Sequence, residues 1–480
     1  MPDLSHFLSE EAKRRKPSPL KEAFVHFTNP KICSLGGGLP LPDLFPYDKV
    51  SAKALAAPFN EGIDKDILEA KDTIDIEVYK KDVEEFDDIN LSISLQYGQS
   101  HGNVLLREYI KEHTRRVHHV GYDDWDVVLT IGNTYGLDAT VRTFVNPGEP
   151  VLVEEFSFSS ALECMRANGA IPVGVKMDLD GIIPEVLETQ LANWVGPKPK
   201  YLYTIPTGQN PTGSTLSPER RQAIYKIAQK YDFLIVEDEP YYYLQMPVYE
   251  KGAKHEQHLD RDGLIKSLAP SFLDYDVDGR VVRLDSFSKV LAPGTRIGWI
   301  VANKMFLERY LRLLESTCQV PSGFSQSLVY GLLTRWGQDG YLDWLIKLRE
   351  FYTKKRDVTC DAIYRELPAG KYELVPPTSG MFFWLKIDAR RFKDYEKYNA
   401  DAKAIEMKLY ELGVENGVFL VPGHWFFAPD NTDPPQPRAV EESEDDKNAM
   451  FFRGTFASVP DDKLVLAIQR WAKTMNEYLK

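Results

Sequence analysis

The chain has 480 residues, 43% hydrophobic and 27% charged, the balance of a soluble protein with room for one large domain and a smaller companion. A formal net charge of −13 argues against a nucleic-acid partner or an anionic membrane surface, both of which need a basic footprint. The four cysteines, Cys33, Cys164, Cys318 and Cys360, are far apart and form no C-x-x-C pair, so neither a disulfide framework nor a zinc site is expected.

The opening MPDLSHFLSEEAKRRKPSP has no apolar signal-peptide core, and Asp3, Glu10 and Glu11 do not suit an acid-poor transit peptide. No apolar run approaches the ~18 residues of a membrane span. A cytoplasmic location with no membrane partner is therefore expected. Two stretches read as solvated surface segments: Asn60 to Ser92, rich in Asp, Glu and Lys, and Pro429 to Asn448, where PPQP precedes EESEDD. Between them apolar runs alternate with helical patterns. Val127 to Thr130 is a strand ending at Gly132-Asn133, and Tyr201 to Ile205 is a strand ending at PTGQNPTG. Ser217-Pro218 opens a helix, because Ser caps and Pro gives up an N–H that would be orphaned. Ala223, Ile224, Ile227 and Ala228 then follow at helical spacing. Phe233 to Val236, Val281 to Leu284 and Ile297 to Val301 are further strands. Strands separated by helices predict an α/β fold with a mostly parallel sheet, whose ligand sits beyond the carboxyl ends of the strands. From about Leu342 the texture changes. A helical pattern near Trp344 to Tyr364, a strand at Gly380 to Trp384 and a helix over Pro460 to Leu479 predict a second domain. The expected division is an N-terminal arm with part of the small domain (1–60), a polar insertion (61–94), a large domain (95–341) and a small C-terminal domain (342–480).

The sharpest motif is Asp285-Ser286-Phe287-Ser288-Lys289, followed by Gly294-Thr295-Arg296-Ile297-Gly298. A lysine alone is usually a solvated surface residue. This one follows a buried strand and two hydroxyls, with an arginine a short loop away. Hydroxyls and a guanidinium make a phosphate site, and an adjacent amine condenses with aldehydes. Gly132-Asn133-Thr134 ends a strand and starts a helix, where free N–H groups and the helix dipole favour an anion. By themselves, Asn210-Pro211-Thr212-Gly213 is a turn, Asp238 a helix cap, Tyr97 a packing residue and Gly38 in GGGLP part of a glycine-rich turn. The nine histidines form no metal-like cluster, and no metal is expected.

Taken together, these motifs resemble those of the class I aminotransferases of pyridoxal-phosphate (PLP) fold type I. The shared features are S-F-S-K with G-x-R-x-G, N-P-T-G at 210–213, the aspartate–tyrosine motif at 237–241, and Arg453 in Phe452-Arg453-Gly454. From about Pro17 onward the chain looks most like the branch holding fungal aromatic aminotransferases and the kynurenine/2-aminoadipate aminotransferases. The resemblance implies a large domain with a mostly parallel seven-stranded sheet flanked by helices, plus a smaller α+β domain. It implies PLP as cofactor, with Lys289 as its Schiff-base lysine and proton shuttle. Asp238 would sit against the pyridine nitrogen and keep it protonated. Asn210 and Tyr241 would hydrogen-bond the ring hydroxyl oxygen, with Asn210 also near the substrate. Ser286, Ser288, Arg296, Asn133 and Thr134 would hold the phosphate. Phe158 would cover the ring, where many relatives carry Tyr or Trp. Arg453 would grip the substrate α-carboxylate through two parallel hydrogen bonds, and Gly38 would lie over the substrate. Tyr97 would reach the phosphate of a neighbouring subunit, which implies a homodimer.

The reaction so implied is ping-pong transamination of aromatic amino acids with 2-oxoglutarate or another 2-oxo acid, with 2-aminoadipate or kynurenine as further donors. Several relatives carry Arg where this chain has Lys21, and a cation there would meet an acidic side chain. Two other readings use the same motifs. One is a PLP-dependent β-lyase or decarboxylase, since the bond broken depends on its orientation to the ring. The other is a non-catalytic PLP-binding regulator, disfavoured because no basic DNA-binding segment precedes the motifs.

Overall fold

Short runs of Val, Ile, Leu and Tyr bounded by turn residues form the strands of this molecule. The computed structural model describes residues 2–19, 31–32, 35–81, 87–252, 259–429, 431–436 and 440–480. The strands among them are, in chain order, β1 (Lys49–Leu55), β2 (Thr73–Tyr79), β3 (Trp125–Thr130), β4 (Pro150–Glu154), β5 (Ile171–Val175), β6 (Met177–Asp178), β7 (Gly181–Ile182), β8 (Tyr201–Thr204), β9 (Leu234–Asp238), β10 (Val281–Ser286), β11 (Gly298–Asn303), β12 (Phe382–Asp388), β13 (Val421–Pro422) and β14 (Ala449–Thr455).

The large sheet has seven strands in the order β3-β11-β10-β9-β8-β4-β5, as the resemblance implied. The run β10-β9-β8-β4-β5 is parallel. Its connections are long enough for helical crossovers, including Ser159–Ala167 and Pro218–Tyr231. Ser217 caps the second of these by accepting from the Arg220 amide, with Pro218 at its first turn. Strand β11 runs antiparallel to both neighbours, β10 and β3. The loop from β10 to β11 is too short for a crossover, so the chain must turn straight back. That turn holds Lys289 and Arg296. Every residue of β4, β8, β9, β10 and β11 is buried, so these strands read as continuous apolar runs instead of alternating ones.

The smaller antiparallel sheet has the order β12-β14-β13. Its helices include Ala402–Glu415 and the last one, Asp461–Tyr478, which lies against the long helical stretch Gly323–Glu366. That stretch breaks at Gly337, whose φ of 64° and ψ of 178° are not helical.

The segment expected to be solvated between Asn60 and Ser92 is different. It contains β2, paired antiparallel with β1 from Lys49↔Tyr79 to Leu55↔Thr73. Ile76 and Val78 are buried with Leu91 and pack on Phe324, Leu328 and Leu332. Ile74, Ile76 and Val78 alternate with Asp75 and Glu77, and this period of two was obscured by the polar composition around it. In the acidic stretch, Glu444–Lys447 forms a short helix capped by Ser443.

Candidate active site

Asp238 ends β9 in the middle of the large sheet and is buried. The Asn133 side-chain amide donates to Oδ1 at 2.7 Å, and the Tyr203 hydroxyl donates to Oδ2 at 2.8 Å. Burial pushes the carboxyl up to about 6, with these two donors pulling down and the Asp285 charge pushing up. Among the described residues Asp238 makes no ion pair. Asn133 was expected at the phosphate, but its side chain turns to Asp238. The first residue of a helix projects beside the strand end as well as past it, so only its backbone N–H remains for an anion. Tyr203 was missed. The available signal was a hydroxyl inside YLYT, a strand buried on both faces where any polar tip must find a partner.

The loop after β8 carries Asn210, whose Oδ1 accepts from Arg453 Nη1 at 2.8 Å. Asn210 also bonds the Tyr241 hydroxyl, which burial, chiefly, and the Asp238 charge hold well above its ordinary range, opposed by Arg453. A buried carboxyl braces this loop. Glu154 accepts from Thr204 Oγ1 at 2.7 Å, from the Ile205 amide at 3.2 Å and from Gln209 Nε2 at 2.8 Å. Gln209 in turn accepts from the Thr212 amide and hydroxyl. Neither Glu154 nor Gln209 was singled out from the sequence, where both look like polar residues at a strand end and in a turn.

Arg453 lies on β14, directly across from Trp384 on β12. Its guanidinium carbon is 4.7 Å from the Phe382 ring centre and 4.9 Å from that of Phe426. Cation–π contacts on these rings fix its plane. It makes no ion pair among the described residues, and burial lowers its pKa. A half-buried, oriented guanidinium without a carboxylate partner among the described residues is suited to a bidentate anionic ligand.

Lys289 follows β10, half-buried, and its pKa is lowered by burial and by the nearby Arg296 charge. Ser286 Oγ donates to Ser288 Oγ at 2.8 Å and accepts from the Ser288 amide at 2.9 Å. Arg296 has φ 49° and ψ 41°, a left-handed conformation uncommon for a non-glycine residue. The turn points its guanidinium at Gly132, with Nη2 donating to the Ile131 carbonyl at 2.9 Å. Gly132 has a φ of 94°, which favours glycine, and a Cβ there would lie 2.4 Å from that nitrogen and push the guanidinium aside. Gly132 opens the helix Asn133–Phe144 without a side-chain cap, and Thr134 is exposed in its first turn.

Phe158 is half-buried at the start of the helix Ser159–Ala167. Tyr97 is 57% exposed, and its amide donates to the Gln96 side chain at 2.9 Å. Gly38 is exposed, with open space around its Cβ position. Lys21 lies outside the described residues. Cys164, Cys318 and Cys360 are free thiols. Among the described residues no His, Cys, Asp or Glu cluster could hold a metal ion, and no helix is long and apolar enough to cross a membrane.

This arrangement fits pyridoxal phosphate. A buried carboxylate lacking a cation suits a protonated ring nitrogen. Hydroxyls, a guanidinium and a helix N-terminus suit a phosphate, and an amine with lowered pKa between them suits the aldehyde. Fold and site together define a PLP-dependent transferase of fold type I. The model of the family "Aminotransferase class I and II" matches residues 76–432. An aromatic amino acid aminotransferase of Schizosaccharomyces pombe is 43% identical, over 100% of this chain and 98% of its own. The mitochondrial kynurenine/alpha-aminoadipate aminotransferase of Bos taurus is 32% identical, over 99% of each. Aminotransferase Aro8 from Candida albicans has a crystal structure that superposes with a TM-score of 0.95 at 49% identity, covering 99% of this chain and 98% of that one. The chain belongs to the class I and II aminotransferase family. It is an aminotransferase that uses pyridoxal phosphate.

Proposed function

We propose that the protein transaminates aromatic amino acids (Phe, Tyr and Trp) by a ping-pong mechanism with 2-oxoglutarate or another 2-oxo acid as acceptor, and that 2-aminoadipate or kynurenine also serves as donor. The observation that carries this reading is Arg453, held between Phe382 and Phe426 and hydrogen-bonded to Asn210. It offers an α-carboxylate a fixed guanidinium in an aromatic setting. The aromatic and kynurenine aminotransferases among the similar proteins support the donor class.

The bound cofactor supplies a ring that accepts electrons from the substrate's α-carbon. The chain's own groups do the rest. Asp238, with Asn133 donating to one oxygen and Tyr203 to the other, would keep a positive charge at the ring nitrogen. Arg453 sets the substrate by its carboxylate, and Asn210 keeps Arg453 and Tyr241 in register with each other. Lys289 Nζ, with its pKa lowered by burial and by Arg296, is the base that takes the α-proton and the acid that returns it. Ser286, Ser288, Arg296 and the N–H groups at Asn133 and Thr134 would hold the phosphate, and Phe158 would cover the ring.

The working unit is a homodimer. Leu35, Leu41 and Leu44 on one stretch and Ile93 and Tyr97 on another are all exposed, the Gln96 side chain ties the two stretches together by donating to the Pro40 carbonyl at 2.7 Å, and exposed apolar side chains of this size suit a covered face. A donor panel with 2-oxoglutarate, read by identifying each 2-oxo acid product, tests the specificity. Phe and Tyr should exceed alanine in kcat/KM by about 10²-fold. Alanine or aspartate as the best donor would overturn the aromatic assignment.

A further inference from the structure

Among the described residues Asp238, like Glu154, stands without a cation, unlike Glu237 and Asp285, the other buried acids on the strands of the large sheet. Asp285 beside it is neutralised by Arg283, whose Nη2 lies 2.8 Å from it. Glu239 next to it in sequence faces Arg221 at 3.4 Å. Among the described residues Asp238 has two donors, both neutral, one on each oxygen. Of these, Asn133 begins a helix and is part-buried, whereas Tyr203 sits within β8 at 0% exposure. Strands β8 and β9 run parallel, with Tyr203 paired to Val236, two residues before Asp238. The reach of a tyrosine from that register brings its hydroxyl to the carboxylate, and packing on both faces leaves the ring no alternative position.

We propose that Tyr203 is the positioning residue that keeps Asp238 ionised and aimed at the cofactor's ring nitrogen, so that its hydroxyl sets both cofactor affinity and the acid limit of activity. A neutral donor stabilises a carboxylate over a carboxylic acid. Burial of Tyr203 holds its own proton far above the neutral range, so it donates at every working pH. An arginine or lysine in its place would neutralise Asp238 and compete with the ring nitrogen for it. A hydroxyl leaves the negative charge available. The other charged or titratable groups bearing on Asp238 are Asp285 on β10, Glu154 on β4 and Tyr241. Of these, Glu154 is pushed up to about 7 by its own burial, so it adds a second, weaker titration near neutrality.

The inference rests on the aminotransferase reading, and one experiment separates the two. The holoenzyme of Tyr203→Phe is compared with wild type for pyridoxal phosphate dissociation, for the pH dependence of its visible absorption, and for kcat and KM against pH. Phe keeps the ring that fills the core, and the melting temperature of the cofactor-free proteins reports on folding. One lost bond to a charged group is worth about tenfold, so cofactor affinity should fall by about that factor, and the acid limb of kcat should move up by about one pH unit. KM for the amino acid should stay within about twofold, because Arg453 is untouched. A second variant, difluorotyrosine at position 203, has a more acidic hydroxyl that donates more strongly, and should move the acid limb the other way. If Tyr203→Phe keeps wild-type affinity and an unmoved acid limb, or if the two substitutions shift it in the same direction, Tyr203 only packs. A wild-type protein that binds no pyridoxal phosphate would instead sink the functional reading.

Discussion

At the proposed ring end of the site, Asp238, Tyr203, Asn210 and Tyr241 are buried, with Asn133 and Arg453 part-buried beside them, in two hydrogen-bonded groups: Asn133 and Tyr203 on Asp238, and Arg453 and Tyr241 on Asn210. At the proposed phosphate end, Arg296 and Thr134 are exposed, and so is Tyr97, the residue expected to reach the phosphate of a neighbouring subunit. The ring end has to shift pKa values, which needs burial and fixed partners. The phosphate end has to hold a dianion, which surface N–H groups, hydroxyls and a guanidinium do without burial. Electronic tuning is thus built into the rigid sheet, and anchoring is left to its rim. Lys289 sits between the two and feels both: burial from one side and the Arg296 charge from the other.

The sharpest break of that comparison is at its midpoint. Lys289→Ala should abolish the response of the cofactor colour to added amino acid and lower turnover by about 10⁴-fold or more. Full turnover in that variant would remove the basis of the mechanism. Next, Arg453→Ala deletes a desolvated guanidinium from the ring side and should cost about 10²- to 10³-fold in kcat/KM, with most of the loss recovered by no increase in cofactor. Arg296→Ala, on the rim, should behave differently. Cofactor affinity should fall by about tenfold, while kcat at saturating pyridoxal phosphate should stay close to wild type. Equal and unrescued losses at both arginines would erase the distinction between the ends.

The smallest effect is a pH dependence. In the cofactor-free protein Asp238 is raised from 3.8 to about 6 by burial. A raised acid favours the fold when protonated, so its contribution to stability falls as pH rises through about 6. A cation at the ring nitrogen reverses this by stabilising the ionised form. The melting-temperature gap between holo and cofactor-free protein should therefore widen as pH rises through about 6. A gap that is flat across that window would show that Asp238 does not face the cofactor's charge.

Much of this site was legible along the chain. Lys289, Asp238, Asn210, Tyr241, Ser286 and Arg296 each stand at the carboxyl end of an apolar run or in the turn beyond it. Short polar motifs after buried strands are visible without coordinates, because sheet folds gather strand ends at one edge. Other residues carried no such mark. Tyr203, Glu154 and Gln209 matter because β8 lies between β9 and β4, and strand order is not written in sequence spacing. The hairpin β1–β2 was hidden for a related reason. Its alternating Ile74, Ile76 and Val78 are interrupted by acidic residues that point to solvent, and only the packing of Phe324, Leu328 and Leu332 shows which face is inside.

What the sequence alone determined was the α/β class and the set of groups that would meet a phosphorylated aldehyde, because those follow from local periodicity and from side-chain chemistry at turns. What only the tertiary structure decided was which neighbour each group leans on: the Asn133 side chain on Asp238, Tyr203 of β8 on Asp238 of β9, and Arg453 on the rings of Phe382 and Phe426. Those choices depend on which distant strands and loops are brought within about 3 Å for hydrogen bonds and about 5–6 Å for ring contacts. Distances of that kind exist only once the chain has folded.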